Sequence, residues 1–188
     1  MLTRGEPPLR PQTLLRQLFA GSGMVTTLQA LERAAARARD LGFVVLPLGL
    51  QAPADVNELA KFHAAIALQC VRDGHPMAPT AMISGGPLLA KTGLATHAEF
   101  LLALALAFDG HGAIYAYACG PDVTREESTA WGAQIGPDTL VRARQLQVNV
   151  GQSLAASNAK SMFKLLGDEE KLPLDAAQAS VLRAILVI

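Results

Sequence analysis

The stretch that decides the fold covers residues 79–109 and reads PTAMISGGPLLAKTGLATHAEFLLALALAFD. Its first apolar run, residues 80–83, has the length of a buried strand and ends at Ser84, Gly85 and Gly86, where glycine tolerates the positive φ of a turn. The sequence T-H-A-E at 96–99 is a capping-box pattern, and the nine apolar residues after it predict a helix buried on every side. Because ligands often bind beyond the carboxyl ends of strands in open α/β sheets, we expect any binding chemistry here.

Strand and helix patterns alternate along the rest of the chain. Apolar residues at helical spacing predict a helix over 28–41 and another that begins after Asp55 and ends before Gly74. Apolar runs predict buried strands at 43–48, 113–118 and 182–188. This alternation predicts a layered α/β domain with a mostly parallel or mixed sheet flanked by helices. Residues 1–22, which begin with a proline-rich stretch without periodicity, are interpreted as an N-terminal arm or linker, and 23–188 as the domain.

Charge and hydropathy exclude several classes of function. Sixteen basic and sixteen acidic residues cancel, which argues against a nucleic-acid-binding surface or a polybasic membrane surface. The longest apolar run has nine residues, whereas a membrane span needs about 20. No signal-peptide pattern precedes the domain. We therefore expect a cytoplasmic protein that binds neither nucleic acid nor membrane.

Common catalytic motifs are incomplete in this sequence. Residues 85–92, GGPLLAKT, approach the phosphate loop G-x-x-x-x-G-K-[ST], but Ala90 replaces its second glycine and Gly93 follows where a helix should start. Ser84 lacks the G-x-S-x-G context of a serine nucleophile. Glu99 could act as a general base, although its capping role already accounts for it.

Metal-binding patterns are also missing. The four histidines fall in different predicted elements without metal-ligand spacing, and the two cysteines give neither a zinc site nor a disulfide framework. Asp122 and the glutamates that follow it fit a solvated loop better than a metal site. His63, within an apolar helix stripe, is expected to be a hydrogen-bonded core or interface residue. We therefore predict no metal site.

Four motifs carry a resemblance to a known family: MISGG at 82–86, HAEFLLALALA at 97–107, GPDTL at 136–140 and LRAIL at 182–186. In this order they resemble the C-terminal (MOFRL) domain of class II glycerate 2-kinases, whose members are often labelled hydroxypyruvate reductases. The resemblance covers about residues 23–188. It implies phosphorylation of glycerate by ATP and Mg²⁺, in a cleft between this domain and an N-terminal α/β domain.

The sequence departs from that family at its polar motifs. The E-T-T that follows Ser-Gly-Gly in the family is Pro-Leu-Leu at 87–89, and the glycine- and arginine-rich loop is shortened, so that only Glu99 survives from it. The aspartate-rich motif falls on 119–125, with Asp122 displaced by one position. ATP and Mg²⁺ are therefore implied as cofactors only if the family activity is retained.

Two functions are compatible with these departures. The first is a degenerate homologue, a non-catalytic binding or scaffold protein in the manner of a pseudoenzyme. The alternative is a glycerate 2-kinase component that is active only with a separately encoded N-terminal domain. Reductase chemistry proper has no support, since no G-x-G-x-x-G follows a strand.

A crevice at the glycine turn is the predicted ligand site. Backbone N–H groups there could bind a small anion such as glycerate. An apolar face next to this crevice would be covered either by a second copy of the chain, in a homo-oligomer, or by the separate catalytic domain. The candidate residues are Ser84, Gly85, Gly86, Thr96, His97, Glu99, Gly120 and Asp122.

Overall fold

The structure is a computed structural model that describes residues 10–19, 26–90, 93–121, 130–172 and 181–188 of the chain. Helices and strands alternate through most of these ranges. In chain order the elements are α1 (Pro11–Phe19), α2 (Thr27–Asp40), β1 (Val44–Leu50), β2 (Ala54–Asp55), α3 (Val56–Asp73), β3 (Thr80–Gly85), β4 (Leu88–Ala90), β5 (Gly93–Ala95), α4 (His97–Phe108), β6 (Ile114–Pro121), β7 (Ala130–Ile135), α5 (Thr139–Gln145), α6 (Val150–Ala155), α7 (Ala159–Leu166), β8 (Glu169–Leu172) and β9 (Leu182–Val187).

Six of the strands form one mixed sheet in the order β1-β3-β9-β6-β7-β8. β1 and β3 are parallel, and the four other pairs are antiparallel. The expected α/β domain is therefore confirmed, with a mixed sheet. The last strand, β9, lies in the middle of the sheet between β3 and β6, and all its residues are buried. A small second sheet consists of β2, β4 and β5.

Helices cover both faces of the main sheet. Helices α3 to α7 pack with one face in the larger apolar cluster, and α1 and α2 pack with the other. Neighbouring residues of β3 alternate between the two sides: Met82 belongs to the first cluster, and Ala81 and Ile83 to the second. α4 is buried along almost its whole length and packs closely against α3, as its unbroken apolar sequence predicts. No helix among the described residues is both long and apolar enough to cross a bilayer.

The helix starts are set by local side-chain caps. Thr96 and Glu99 form the expected capping box at α4. Asp55 accepts hydrogen bonds from the first backbone N–H groups of α3, at 2.9 and 3.1 Å. Thr26 and Gln29 form a second capping box at α2. Each cap satisfies N–H groups that lack a partner within the first helical turn.

Three regions differ from the sequence-based expectation. β1 is the edge strand of the main sheet rather than a buried strand, and Val44 and Leu50 are 42% and 55% exposed. β7 was not predicted because its sequence, AWGAQI, is short and contains Gly132. A Cβ at that glycine would lie 2.5 Å from the Tyr117 hydroxyl oxygen, so a larger residue there would force the buried Tyr117 ring to move. Within the segment 1–22 that was interpreted as an arm, α1 packs on the sheet with Leu15 and Leu18 buried.

Candidate functional site

The glycine turn lies at the carboxyl end of β3, next to the start of β9. Gly86 has a φ of +118°, and a Cβ at this position would overlap the backbone of Gln51. Its N–H donates to the carbonyl of Val181 at 3.0 Å. The turn therefore requires glycine, and this N–H group is already used within the protein.

Gly85 and Gly120 approach the same residue, Val181. A Cβ on Gly85 would lie 3.2 Å from the Val181 carbonyl oxygen and equally close to the side chain of Leu31. A Cβ on Gly120 would lie 3.1 Å from Val181 Cα. The structure thus brings these two glycines together with Gly86 around the backbone that enters β9. Asp122, another of the candidate residues, lies outside the described residues.

Thr96 and Glu99 bind each other at the start of α4. Glu99 Oε2 accepts from the Thr96 backbone N–H at 2.6 Å and from its hydroxyl at 3.1 Å. The Thr96 hydroxyl oxygen accepts from the Glu99 N–H at 3.3 Å. His97, only 3% exposed, packs against Trp131 of β7 with ring centroids 4.8 Å apart. These three candidates therefore serve the packing and capping of α4.

Glu99 also lines a groove of about 380 Å³. The start of α3 contributes Val56 and Asn57 to it, and the end of α6 and the turn that follows contribute Leu154 and Ser157. Ser157 has a φ of +52°, which is uncommon for a residue with a side chain. None of the lining residues carries a positive charge, so the carboxylate of Glu99 disfavours a bare anion in this groove.

A buried network around Arg183 was not predicted from the sequence. Arg183 lies on the central strand β9 and is 1% exposed. Its Nε donates to the Ser84 hydroxyl oxygen at 3.1 Å and its Nη1 to the Gly86 carbonyl at 3.1 Å. Its Nη2 lies 3.3 Å from Gln51 Oε1. One guanidinium thus joins β9, β3, the glycine turn and the segment after β1.

His63 completes this network from α3. Its Nδ1 lies 2.8 Å from the Leu59 carbonyl, and because a carbonyl only accepts, Nδ1 carries the proton. The unprotonated Nε2 therefore accepts from the Ser84 hydroxyl at 2.9 Å. Ser84 consequently donates to His63 and accepts from Arg183, so its hydroxyl is used on both sides.

The charges of the network follow from its burial. The pKa of His63 is lowered to about 4, mainly by burial; the hydrogen bond to the Leu59 carbonyl opposes this lowering, and the charge of Arg183 adds to it. His63 is therefore neutral at pH 7. Burial also lowers the pKa of Arg183, to about 10, and none of the ion pairs found among the described residues includes it. Its charge is stabilised by neutral acceptors and by the Phe100 ring, whose centroid lies 5.3 Å from Cζ.

A hydroxyl that donates to an imidazole has the connectivity of an activated nucleophile. Here both groups are 1% exposed, so neither meets solvent. The arrangement holds the glycine turn in place. The sequence signal for it is Arg183 itself, a single charge inside an otherwise apolar strand, since a buried charge must be paired or hydrogen-bonded.

The chain was compared with family models, with curated proteins and with solved structures. No family model matches it. Two proteins of Agrobacterium vitis, both provisionally named hydroxypyruvate reductase, are 34% and 30% identical to it in alignments of 165 positions that cover 84% of this chain. The same alignments cover 38% and 43% of the two relatives, so the chain spans about two fifths of their length.

Solved structures show the same fold at lower identity. The crystal structure of glycerate kinase from Thermotoga maritima superposes with a TM-score of 0.75 and 18% identity, over 87% of this chain and 41% of that one. A protein from Pyrococcus horikoshii gives a TM-score of 0.75 and 16% identity, over 87% and 38% of the two chains. The chain carries a glycerate kinase-like domain. The predicted family relationship and fold are thereby confirmed.

At the glycine turn and the start of α4, the described residues offer few groups suited to phosphate or metal. Within the described ranges, no three histidine, cysteine, aspartate or glutamate side chains converge in a way that could hold a metal ion. Of the predicted site residues that are described, Glu99 is the carboxylate, and its Oε2 is committed to Thr96. The ligand-binding roles of the candidate residues remain predictions.

Proposed function

We propose that this glycerate kinase-like domain is a non-catalytic binding or scaffold protein. The observation that supports it is the internal use of the polar groups at the glycine turn. The Gly86 N–H is bound by Val181, and the Ser84 hydroxyl lies between His63 and Arg183. Phosphoryl transfer instead needs charge-neutralising groups that face the transferred phosphate.

The direct test is ATP turnover. The purified chain, with Mg²⁺, ATP and D-glycerate, is expected to form ADP at the rate seen without glycerate. A glycerate-dependent rate would overturn the proposal.

A small anion such as glycerate remains the ligand that we propose for the crevice at the turn. The groove next to Glu99 is the less favourable place for it, because the carboxylate repels an anion. Calorimetry with glycerate on the Glu99→Gln variant separates the two places. Unchanged affinity excludes the groove, whereas tighter binding after removal of the charge indicates it. A bulky residue at Gly85 is a poor probe, since Leu31 and Val181 already enclose that position.

The alternative is a glycerate 2-kinase component that needs a separately encoded domain. It is motivated by the shares of 38% and 43% that the chain covers in its two relatives. The test adds the remaining part of one Agrobacterium vitis relative, expressed separately, to the chain in the turnover assay. Glycerate-dependent ADP formation only in the mixture would favour the alternative, and none in either condition favours the non-catalytic proposal.

A further inference from the structure

A second cavity, of about 400 Å³, lies between α1 and the end of β7. It shares no lining residue with the groove next to Glu99. Arg10 and Arg16 reach it from the side of α1, and Gln134 from β7. Asp138 and Arg142 reach it from the start of α5. The volume is within the range of small-molecule sites, about 300–1,000 Å³.

The two carboxylates of the cavity are both bound to one arginine. Arg142 donates from Nε to Asp138 at 2.8 Å and from Nη2 to Asp168 at 2.6 Å. Its Nη1 donates to the Leu166 carbonyl at 3.0 Å. This guanidinium is thereby fixed and its charge is balanced. Asp138 and Asp168 together carry one negative charge more than Arg142 balances, and Asp168 also interacts with the charge of Arg16.

Two arginines on the α1 side of the cavity differ in how far their charge is used: Arg16 pairs with Glu170, whereas no described residue is such a partner of Arg10. Arg10 is exposed and takes part in none of the ion pairs found among the described residues. Arg16 Nε lies 3.3 Å from Glu170 Oε2, but this oxygen accepts no hydrogen bond from any described residue. The ion pair of Arg16 is therefore poorly aligned. The α1 side of the cavity consequently presents two guanidinium groups to a ligand.

Gln134 provides a hydrogen-bonding group on the opposite wall. Its neighbours Ala133 and Ile135 point into the core cluster, so its side chain points to the other face of the sheet, toward α1. Its Oε1 is buried and has no hydrogen-bond partner among the described residues. An unpaired buried acceptor is unfavourable, and the terminal torsion of glutamine is soft. A small rotation would turn the amide toward a hydroxyl in the cavity.

We propose that this cavity binds a small oxyanion that also carries a hydroxyl group, such as a phosphorylated polyol or a hydroxy acid. The oxyanion lies against Arg10 and Arg16, and the hydroxyl donates to Gln134. The cavity thus constitutes a second ligand site, independent of the crevice at the glycine turn and of whether the domain is catalytic.

Calorimetric titration of the full chain with two matched pairs of probes tests the site. Glycerol 3-phosphate is compared with propyl phosphate, and lactate with propionate, because the two members of each pair differ only in hydroxyl groups. We expect the hydroxylated member of at least one pair to bind about tenfold more tightly, which corresponds to one good hydrogen bond. The pair that binds identifies the phosphate or the carboxylate as the anionic group. Absence of binding by all four probes at millimolar concentration would overturn the proposal.

Three variants test the contributions of the arginine side and the Gln134 side of the cavity separately. Arg10→Gln is expected to weaken both members of the binding pair by about tenfold, because a charge-assisted hydrogen bond is lost. Gln134→Leu is expected to remove only the preference for the hydroxylated member. Arg37→Gln, on the exposed face of α2, removes the same charge elsewhere and should change nothing. Arg10 is exposed, so its variant should unfold at the wild-type temperature. Equal affinities in wild type and both cavity variants would contradict the assignment.

Discussion

At the scale of single residues, Arg183 carries a positive charge into the middle of the sheet without a described carboxylate partner. Its three hydrogen bonds connect Ser84, Gly86 and Gln51, which are separated from it by 99, 97 and 132 positions in the sequence. Such long-range contacts cannot be read from local patterns. The buried charge itself was visible as an arginine within an apolar strand, but its partners were not.

The first prediction concerns this guanidinium. Arg183→Met keeps a long, largely apolar side chain but leaves the acceptors on Gly86 and Gln51 without their donors. We therefore expect a loss of about 2 kcal/mol in the free energy of unfolding. Arg183→Lys should also be destabilising, because an ammonium cannot reproduce the guanidinium fork. Urea denaturation measures both variants. Arg37→Met, at an exposed position, is the control and should stay within about 0.5 kcal/mol of wild type. Equal stability of Arg183→Met and wild type would contradict the structural role.

The second prediction concerns the pH dependence of stability through His63. Its pKa is about 4 in the folded protein, against 6.5 for the ordinary side chain. Between these values the unfolded chain binds more protons, so stability is fully present above pH 6.5 and is lost as the pH falls toward 4. The loss between pH 7 and pH 4 is about 3 kcal/mol.

Replacement of this histidine isolates its contribution. His63→Gln should show a correspondingly smaller loss of stability over the same pH range in urea denaturation. Identical pH profiles of variant and wild type would show that the imidazole is not buried in its neutral form.

At the scale of elements, the helix starts were predictable and the neighbours of the strands were not. Thr96 and Asp55 cap helices through contacts within three residues, so their sequence patterns suffice. The edge position of β1 and the central position of β9 depend on which strands pair across the chain. β7 could not be predicted from the sequence because it is short and contains Gly132, and a glycine in a short segment is as typical of a loop as of a closely packed strand.

The third prediction compares the two capping boxes. Thr96→Ala should destabilise the protein by about 1–2 kcal/mol, because it removes a cap and leaves the largely buried Glu99 carboxylate with one donor fewer. Thr26→Ala removes the equivalent exposed cap of α2 and should cost about 1 kcal/mol or less. Thr96→Ser retains the hydroxyl and serves as the control. Thermal and urea unfolding measure the loss of stability in each variant. A larger loss for Thr26→Ala than for Thr96→Ala would contradict the prediction.

At the scale of the whole molecule, the described surface has apolar side chains along the edge strand. Val44 and Leu50 are exposed on β1, whose free side pairs with no described strand. An exposed edge of this kind favours pairing with another chain. The sequence predicted the family and the layered fold, because the apolar segments and the four motifs preserve them. It did not predict where the uncovered edge lies.

The fourth prediction is self-association through this edge. Light scattering at tens of micromolar should give a mass of at least two chains, and Leu50→Glu should shift it toward the mass of one chain. Ala36→Glu, at an exposed position on α2, is the control and should leave the mass unchanged. A single-chain mass for the wild-type protein would rule out the homo-oligomer under these conditions.

The measurement that tests the central claim most directly is glycerate-dependent ADP formation by the chain alone. The glycerate kinase of Thermotoga maritima, measured in parallel, shows that the assay detects turnover. Because the polar groups of the glycine turn are bound within the protein, we expect no rate above that of a mock purification, at any glycerate concentration. A saturable glycerate-dependent rate that the Glu99→Gln variant loses would contradict the claim and identify the domain as an active kinase.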